Sequence, residues 1–145
     1  MTCLLDINVL VALFDASHLN HEAAHAWFEA AGRTSWATCP ISENGFIRVL
    51  SHPSYPSVQA TPNELIVRLF SFASQKGHVF WPDDISLLTG LDDASRARLV
   101  GSQQLTDFYL AAQALHHGGC LATFDGSLQR TLKGTTLGKS LQLLQ

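Results

Sequence analysis

The sequence predicts a three-layer α/β/α sandwich with a central parallel sheet, and three observations predict it. Short apolar runs of strand length alternate along the chain with segments whose apolar residues recur at helical spacing, the alternation that builds parallel sheets. Acidic residues follow directly on two of the apolar runs, at the joint with the next helix. The chain is 145 residues long, 46% hydrophobic and 14% charged, which suits one domain over residues 1–145 that removes roughly 70% of its unfolded surface from water. It is too apolar to stay disordered.

The first element is the stretch Thr2-Cys3-Leu4-Leu5-Asp6-Ile7-Asn8-Val9-Leu10-Val11-Ala12-Leu13. It starts as an apolar strand and turns helical where Val9, Ala12 and Leu13 share a face. Asp6 stands at the joint, the carboxyl end of a strand, where open parallel sheets bind their ligands. Asp15 to Asn20 reads as a loop, and Asn20 as the N-cap of a helix that runs to about Ala31 with Ala23, Trp27 and Ala30 inward; Gly32 ends it. Ser35 to Thr38 is a second strand. Pro40 then opens a helix carrying Phe46, Ile47 and Leu50, which places Glu43 in a first turn just past a strand end.

Ser51 to Pro56 is a Pro-stiffened loop. Thr61-Pro62-Asn63-Glu64 is a capping box that starts a helix with Leu65, Leu69, Phe72 and Ala73 inward, closed by Gly77. His78 to Trp81 reads as a third strand stopped by Pro82. A looser region follows, with Asp83-Asp84, an apolar turn from Ile85 to Leu88, Asp92-Asp93 and a helix over about Ala94 to Val100. From Thr106 to His117 the residues Asp107, Leu110, Ala111, Ala114 and Leu115 lie on one helical face with an acid at its N-terminal end. Gly118-Gly119 stops that helix. Cys120 to Phe124 is a fourth strand, Asp125 follows it, and a short polar helix contains Leu128. Beyond Lys133 only a last strand is expected.

Several function classes fall away at this level. A net charge of −3 supplies no global positive field for nucleic acid, so local patches or metal ions would have to attract a polyanion. No apolar stretch has the length of a membrane span. The strand-like start leaves no room for a secretory signal. Cys3, Cys39 and Cys120 are odd in number, far apart and set among apolar residues, which suits reduced core thiols in a cytoplasmic protein better than disulfides or a metal site.

The chemistry lies with four acids. In a parallel sheet, Asp6 and Asp125 at strand ends and Glu43 and Asp107 in helix first turns all lie on the carboxyl-end side. Each alone is an ordinary helix-dipole partner, worth roughly 0.3 to 1 kcal/mol. Together they repel, since two like charges ~4 Å apart cost about 4 kcal/mol at an effective dielectric near 20. Such a gathering calls for a cation or for protonation. All-oxygen ligands favour Mg²⁺ or Mn²⁺, and a divalent ion that activates water and offsets charge on phosphorus points to phosphodiester hydrolysis.

The segments Leu4-Leu5-Asp6-Ile7-Asn8-Val9-Leu10, Cys39 to Val49, Leu105-Thr106-Asp107-Phe108-Tyr109-Leu110 and Leu121-Ala122-Thr123-Phe124-Asp125 resemble, in order and spacing, the acidic motifs of PIN-domain ribonucleases. More narrowly they resemble the VapC toxins of bacterial type II toxin–antitoxin pairs. Thr61-Pro62 and Phe80-Trp81-Pro82-Asp83-Asp84 extend the resemblance over nearly the whole chain. It implies a Mg²⁺- or Mn²⁺-dependent endoribonuclease that cuts RNA to leave a 5′-phosphate, forms a homodimer and is neutralised by a VapB-type antitoxin. Carried over by position, Asp6 and Asp107 are the main metal ligands, Glu43 and Asp125 complete the pocket, and Asn8 steadies Asp6 or the scissile phosphate. Thr106 caps its helix or meets substrate. The chain departs from the pattern near Gly101-Ser102, where many relatives carry a basic residue or His; Arg96, Arg98, Arg130 and Lys133 are then the candidate phosphate contacts. Antitoxin recognition is expected at an apolar groove near Trp27, Phe46 and Phe70.

Two other readings compete. His21-Glu22-Ala23-Ala24-His25 spells the HExxH of zinc metallopeptidases, with Glu43 available as third ligand. Against it, too little chain precedes the segment to form the sheet that flanks such sites, and solvated histidines on an amphipathic helix account for the pattern. Asn8 stands where a dehalogenase-type phosphatase needs its second Asp, and the acidic pair and late Lys of a receiver domain are missing. The remaining alternative is a non-catalytic PIN-like binding module.

Overall fold

A computed structural model describes all of residues 1–145. Five strands, β1 (Cys3–Leu5), β2 (Trp36–Thr38), β3 (His78–Phe80), β4 (Cys120–Thr123) and β5 (Leu141–Leu143), pair in the order β3-β2-β1-β4-β5, every pair parallel. Seven helices connect them: α1 (Ile7–Phe14), α2 (His21–Ala30), α3 (Pro40–Ser51), α4 (Pro62–Ala73), α5 (Asp93–Ala97), α6 (Leu105–His116) and α7 (Gly126–Leu132). The expected α/β/α sandwich with its parallel sheet is the observed architecture.

Strand alternation sorts the core into two layers, because successive strand side chains point to opposite faces. Cys3, Leu5, Trp36, Cys120 and Ala122 pack with the apolar sides of α1 to α4. Leu4, Ala37 and Leu121 face the other way, toward Phe108, Leu110, Ala111, Ala114, Leu128 and Leu132 of α6 and α7. Leu4, Leu5 and Leu121 have no exposed surface at all, and burying each such side chain contributes about 1.5 to 3 kcal/mol. The helices before β3 lie on one face and those after it on the other, so the winding reverses between β1 and β4. That reversal opens a crevice beyond the carboxyl ends of these two strands.

Five sequence expectations need correction, the first being the inward face of α2, where Ala24 and Phe28 are the buried residues and Ala30 is exposed. Cys3 and Cys120 are joined in a disulfide and only Cys39 is a free thiol; the two half-cystines are register partners on adjacent strands, Cα–Cα 4.5 Å apart, a neighbourhood that 117 residues of separation hides. The case for a reducing compartment therefore loses two of its three cysteines. Asn20 precedes α2 but its side chain makes no capping hydrogen bond. Phe46 is fully buried and belongs to the core, not to a groove. Trp81 has left β3 and sits buried against the α6 face. The last strand exists, as edge strand β5, after a 3-10 turn over Leu137–Ser140. No helix is long and apolar enough to cross a membrane.

Candidate active site

The carboxyl ends of β1 and β4 deliver Asp6 and Asp125 to the two sides of the crevice, and both are helix caps. The Asp6 carboxylate accepts from the Ile7 N–H at 2.7 Å and Asp125 from the Leu128 N–H at 3.0 Å, each satisfying an amide that a helix start leaves unpaired. The two strand ends are stitched by Thr123. Its Oγ1 donates to Asp6 Oδ2 at 2.7 Å and accepts from Asn8 Nδ2 at 3.2 Å and from the Asp125 N–H at 3.0 Å. Asn8 closes the stitch by accepting from the Phe124 N–H at 3.2 Å and reaching Asp6 Oδ2 at 3.4 Å.

Asp107 enters from the first turn of α6. Burial first, then the charges of Asp6 and Asp125, push its carboxyl up to about 7. Asp6, 3% exposed, is also raised: burial outweighs its hydrogen bonds to Thr123 and Ile7, and the Asp125 charge adds to it. Three carboxyls from three distant segments thus share one electrostatic neighbourhood. They are not in mutual contact, since no three acids there bring an oxygen each within 4.8 Å of one another.

Glu43 is held apart. Its carboxylate accepts from Thr38 Oγ1 at 2.7 Å, and the same hydroxyl meets His78 Nε2 at 2.8 Å. A hydroxyl has one proton to give, and that of Thr38 goes to Glu43, so in the Thr38 contact His78 donates from Nε2. Burial holds His78 below the usual histidine range, in keeping with a neutral ring. Glu43 also closes one end of an apolar groove of about 390 Å³ between α3 and α4, lined by Ile47, Ile66, Leu69, Phe70 and Ala73. Phe70 is 75% exposed there.

The other predicted residues distribute less favourably. Thr106 lies inside α6, which begins at Leu105, and is exposed without capping it. Arg96 is paired with Asp93 at 2.9 Å on the surface. Arg98 donates to the Thr131 and Lys133 carbonyls at the end of α7, which makes it a cap for that helix. Arg130 is exposed, with its guanidinium lying back along α7 toward Gly126. Lys133 sits past the far end of α7, away from the crevice. Sequence reasoning missed Thr123, Thr38 and His78; the one signal available was a hydroxyl residue inside each of two otherwise apolar strands.

The histidines of the HExxH segment are engaged with the end of α1. His21 Nδ1 meets the Ala12 carbonyl at 2.7 Å and His25 Nε2 the Leu13 carbonyl at 2.9 Å. These are last-turn carbonyls that a helix leaves unpaired.

A model of the PIN domain family matches residues 3–133. The chain belongs to the PIN domain family. Ribonuclease VapC39 of Mycobacterium tuberculosis (strain ATCC 25618 / H37Rv) is 42% identical over 128 residues, 88% of this chain and 91% of that protein. Ribonuclease VapC44 of the same strain is 40% identical over 131 residues, 90% of this chain and 91% of its own length. Ribonuclease VapC38 is 39% identical over 126 residues, 86% of each chain. Within the PIN domain these relatives mark out a VapC-type protein, and the metallopeptidase reading finds no support among them.

Proposed function

We propose that this chain is a divalent-metal-dependent endoribonuclease, the toxin of a toxin–antitoxin pair, acting as a single PIN-like nuclease domain in the cytoplasm. The observation that carries the reading is the convergence of Asp6, Asp107 and Asp125, from the starts of α1, α6 and α7, in one crevice of a PIN domain, where burial and the other two charges raise Asp107 to about 7. A folded chain that gathers carboxyls until one of them holds its proton near neutrality has made a place for a cation. The donors there are all carboxylate oxygens, the set that fits a hard ion, Mg²⁺ or Mn²⁺.

Asp6, Asp107 and Asp125 would hold the ion, with Glu43 completing the pocket through water or with substrate in place. When bound, the ion supplies Lewis acidity toward the scissile phosphate and a water nucleophile at neutral pH. Asp107, raised to about 7, must release its proton for that to happen. Thr123 and Asn8 fix the rotamer of Asp6 and tie β1 to β4, so the crevice is rigid before substrate arrives. The N-terminus of α6, which no side chain caps, is the helix end left to favour an RNA phosphate there. Arg130 is the cation best placed to extend that contact, and cleavage is expected to leave a 5′-phosphate.

The α3/α4 groove suits an amphipathic segment of a VapB-type antitoxin, since Ile66 and Phe70 expose apolar surface in the groove that Glu43 also lines. A segment lying there would reach the acid pocket from its Glu43 side. Homodimerisation belongs to the same proposal. The test is incubation of the purified chain with small structured RNAs in EDTA, Mg²⁺ and Mn²⁺, beside Asp6→Asn. Metal-dependent cutting lost in the variant supports the reading; cutting unaffected by EDTA, or a variant as active as the parent, overturns it in favour of a contaminant or a binding module.

A further inference from the structure

At the other end of α6, a second group of ligand-bearing side chains has no part in the acid pocket. We propose that Asp84, His116 and His117 form a binding site for one zinc-class divalent cation that clamps the end of α6 to the segment following β3. Their ligand atoms all lie within 4.8 Å of one another, the one such group of three in the molecule. His117 Nε2 stands 3.2 Å and His116 Nε2 3.6 Å from the same oxygen, Asp84 Oδ1. Two imidazole nitrogens and one carboxylate oxygen make the mixed set that zinc accepts, with water in a fourth position. Nitrogen donors select zinc-class ions over Mg²⁺.

The arms of this site are held in place before any ion arrives. His117 stacks on the buried Trp81 indole, ring centroids 4.6 Å apart and planes within 10°. Trp81 lies three residues before Asp84, so one contact fixes the relation between two of the ligands. Gln113, fully buried one turn earlier on α6, donates from Nε2 to the Pro82 carbonyl and fixes the segment a second time. Gly118, with φ +70°, ends the helix just beyond, and His116 and His117, adjacent in sequence, set their rings edge to face at 5.0 Å with both Nε2 atoms toward Asp84 Oδ1. The helix end itself favours a cation.

His116 is nine residues from Asp107, about 14 Å along the α6 axis, so the two sites are chemically separate. The outer ligands are half exposed, with side-chain exposures of 49% for His116 and 42% for Asp84, and they are free to close by the ångström or so that tetrahedral coordination requires. The occupied site would stabilise the packing of α6 against the β3 edge without entering the chemistry.

The test uses untagged, EDTA-stripped full-length protein at pH 7.5. One equivalent of Zn²⁺ is expected to raise Tm by about 5 °C or more, in line with mass action on the folded state. The rise should persist in the Asp6→Asn/Asp107→Asn protein and in His21→Gln/His25→Gln, and vanish in His116→Gln/His117→Gln while Mn²⁺ binding survives. Should that last variant fail to fold, imidazole ¹⁵N spectra of the unmutated protein decide. Zinc must move the Nε2 resonances of His116 and His117 first among the seven histidines. No zinc-induced rise, a rise surviving in His116→Gln/His117→Gln, or first shifts at other histidines overturns the proposal.

Discussion

Helix α1 carries an aspartate at each end, Asp6 as its N-cap and Asp15 as its C-cap, and both are 3% exposed. Burial works to raise each of them, yet they part company. Asp15 receives Tyr55 Oη at 2.6 Å, Ser57 Oγ at 2.9 Å and the Ser17 N–H at 2.9 Å. Against burial, those bonds and the nearby His18 hold it below the usual carboxylate range. Asp6 is as little exposed but stands behind more protein, at the base of the crevice, where burial outweighs its two hydrogen bonds and the Asp125 charge adds to it, so its carboxyl is raised. A buried acid surrounded by enough donors is structural; one pressed against other acids leaves electrostatic work for a ligand to relieve.

Substitution should separate the two kinds of acid. Asp107→Asn, in the crowded pocket with Asp6, is expected to lower RNA cleavage by about 10³-fold, the scale of losing a group that organises transition-state charge. Its Tm should hold or rise above pH 7, as read by thermal melts. Asp15→Asn should do the reverse, costing about 2 kcal/mol in urea unfolding because three donors lose a charged acceptor. Cleavage by the remaining folded protein should stay near that of the parent. A cleavage loss at Asp15 equal to that at Asp107 would dissolve the distinction.

The pH dependence sharpens it further. Asp107, raised in the folded state from 3.8 to about 7, contributes stability that is fully present below the unfolded value and is lost as pH rises through about 7. Asp15, depressed, contributes stability above the unfolded value that is lost as pH falls through its folded one. Because metal binding must displace the Asp107 proton, Mn²⁺ affinity measured by calorimetry should rise about tenfold per pH unit below 7 and level off above it. Tyr55→Phe gives the smallest effect, about 1 kcal/mol of stability from one hydrogen bond to Asp15, with cleavage unchanged.

The parts of the molecule legible in the sequence are those governed by local rules. Pro40, Thr61-Pro62, Gly77 and Gly118-Gly119 bracket helices where start and stop chemistry demands, and the four acids stand where strand-to-helix joints put them. What pairing across the sheet decides was not legible. The Cys3–Cys120 bridge, the Thr123 stitch and the Thr38–His78 link to Glu43 all depend on which strands are neighbours and in what register. Nothing in the spacing of the residues states that. His21 and His25 show the converse: their spelling suggested metal, and their geometry assigns them to the end carbonyls of α1. Asp84, His116 and His117 spell no motif, because one of the three arrives from across a helix.

That Asp107 is held protonated near neutrality, by burial first and then by the charges of Asp6 and Asp125, until a divalent ion takes the proton's place, is open to direct measurement. Carboxyl ¹³C NMR would follow Asp107 through a pH titration of the metal-free chain and again with Mg²⁺. The account predicts a midpoint near 7 that falls well below it when Mg²⁺ is added. A midpoint near the ordinary aspartate value of about 4, unmoved by Mg²⁺, would contradict it.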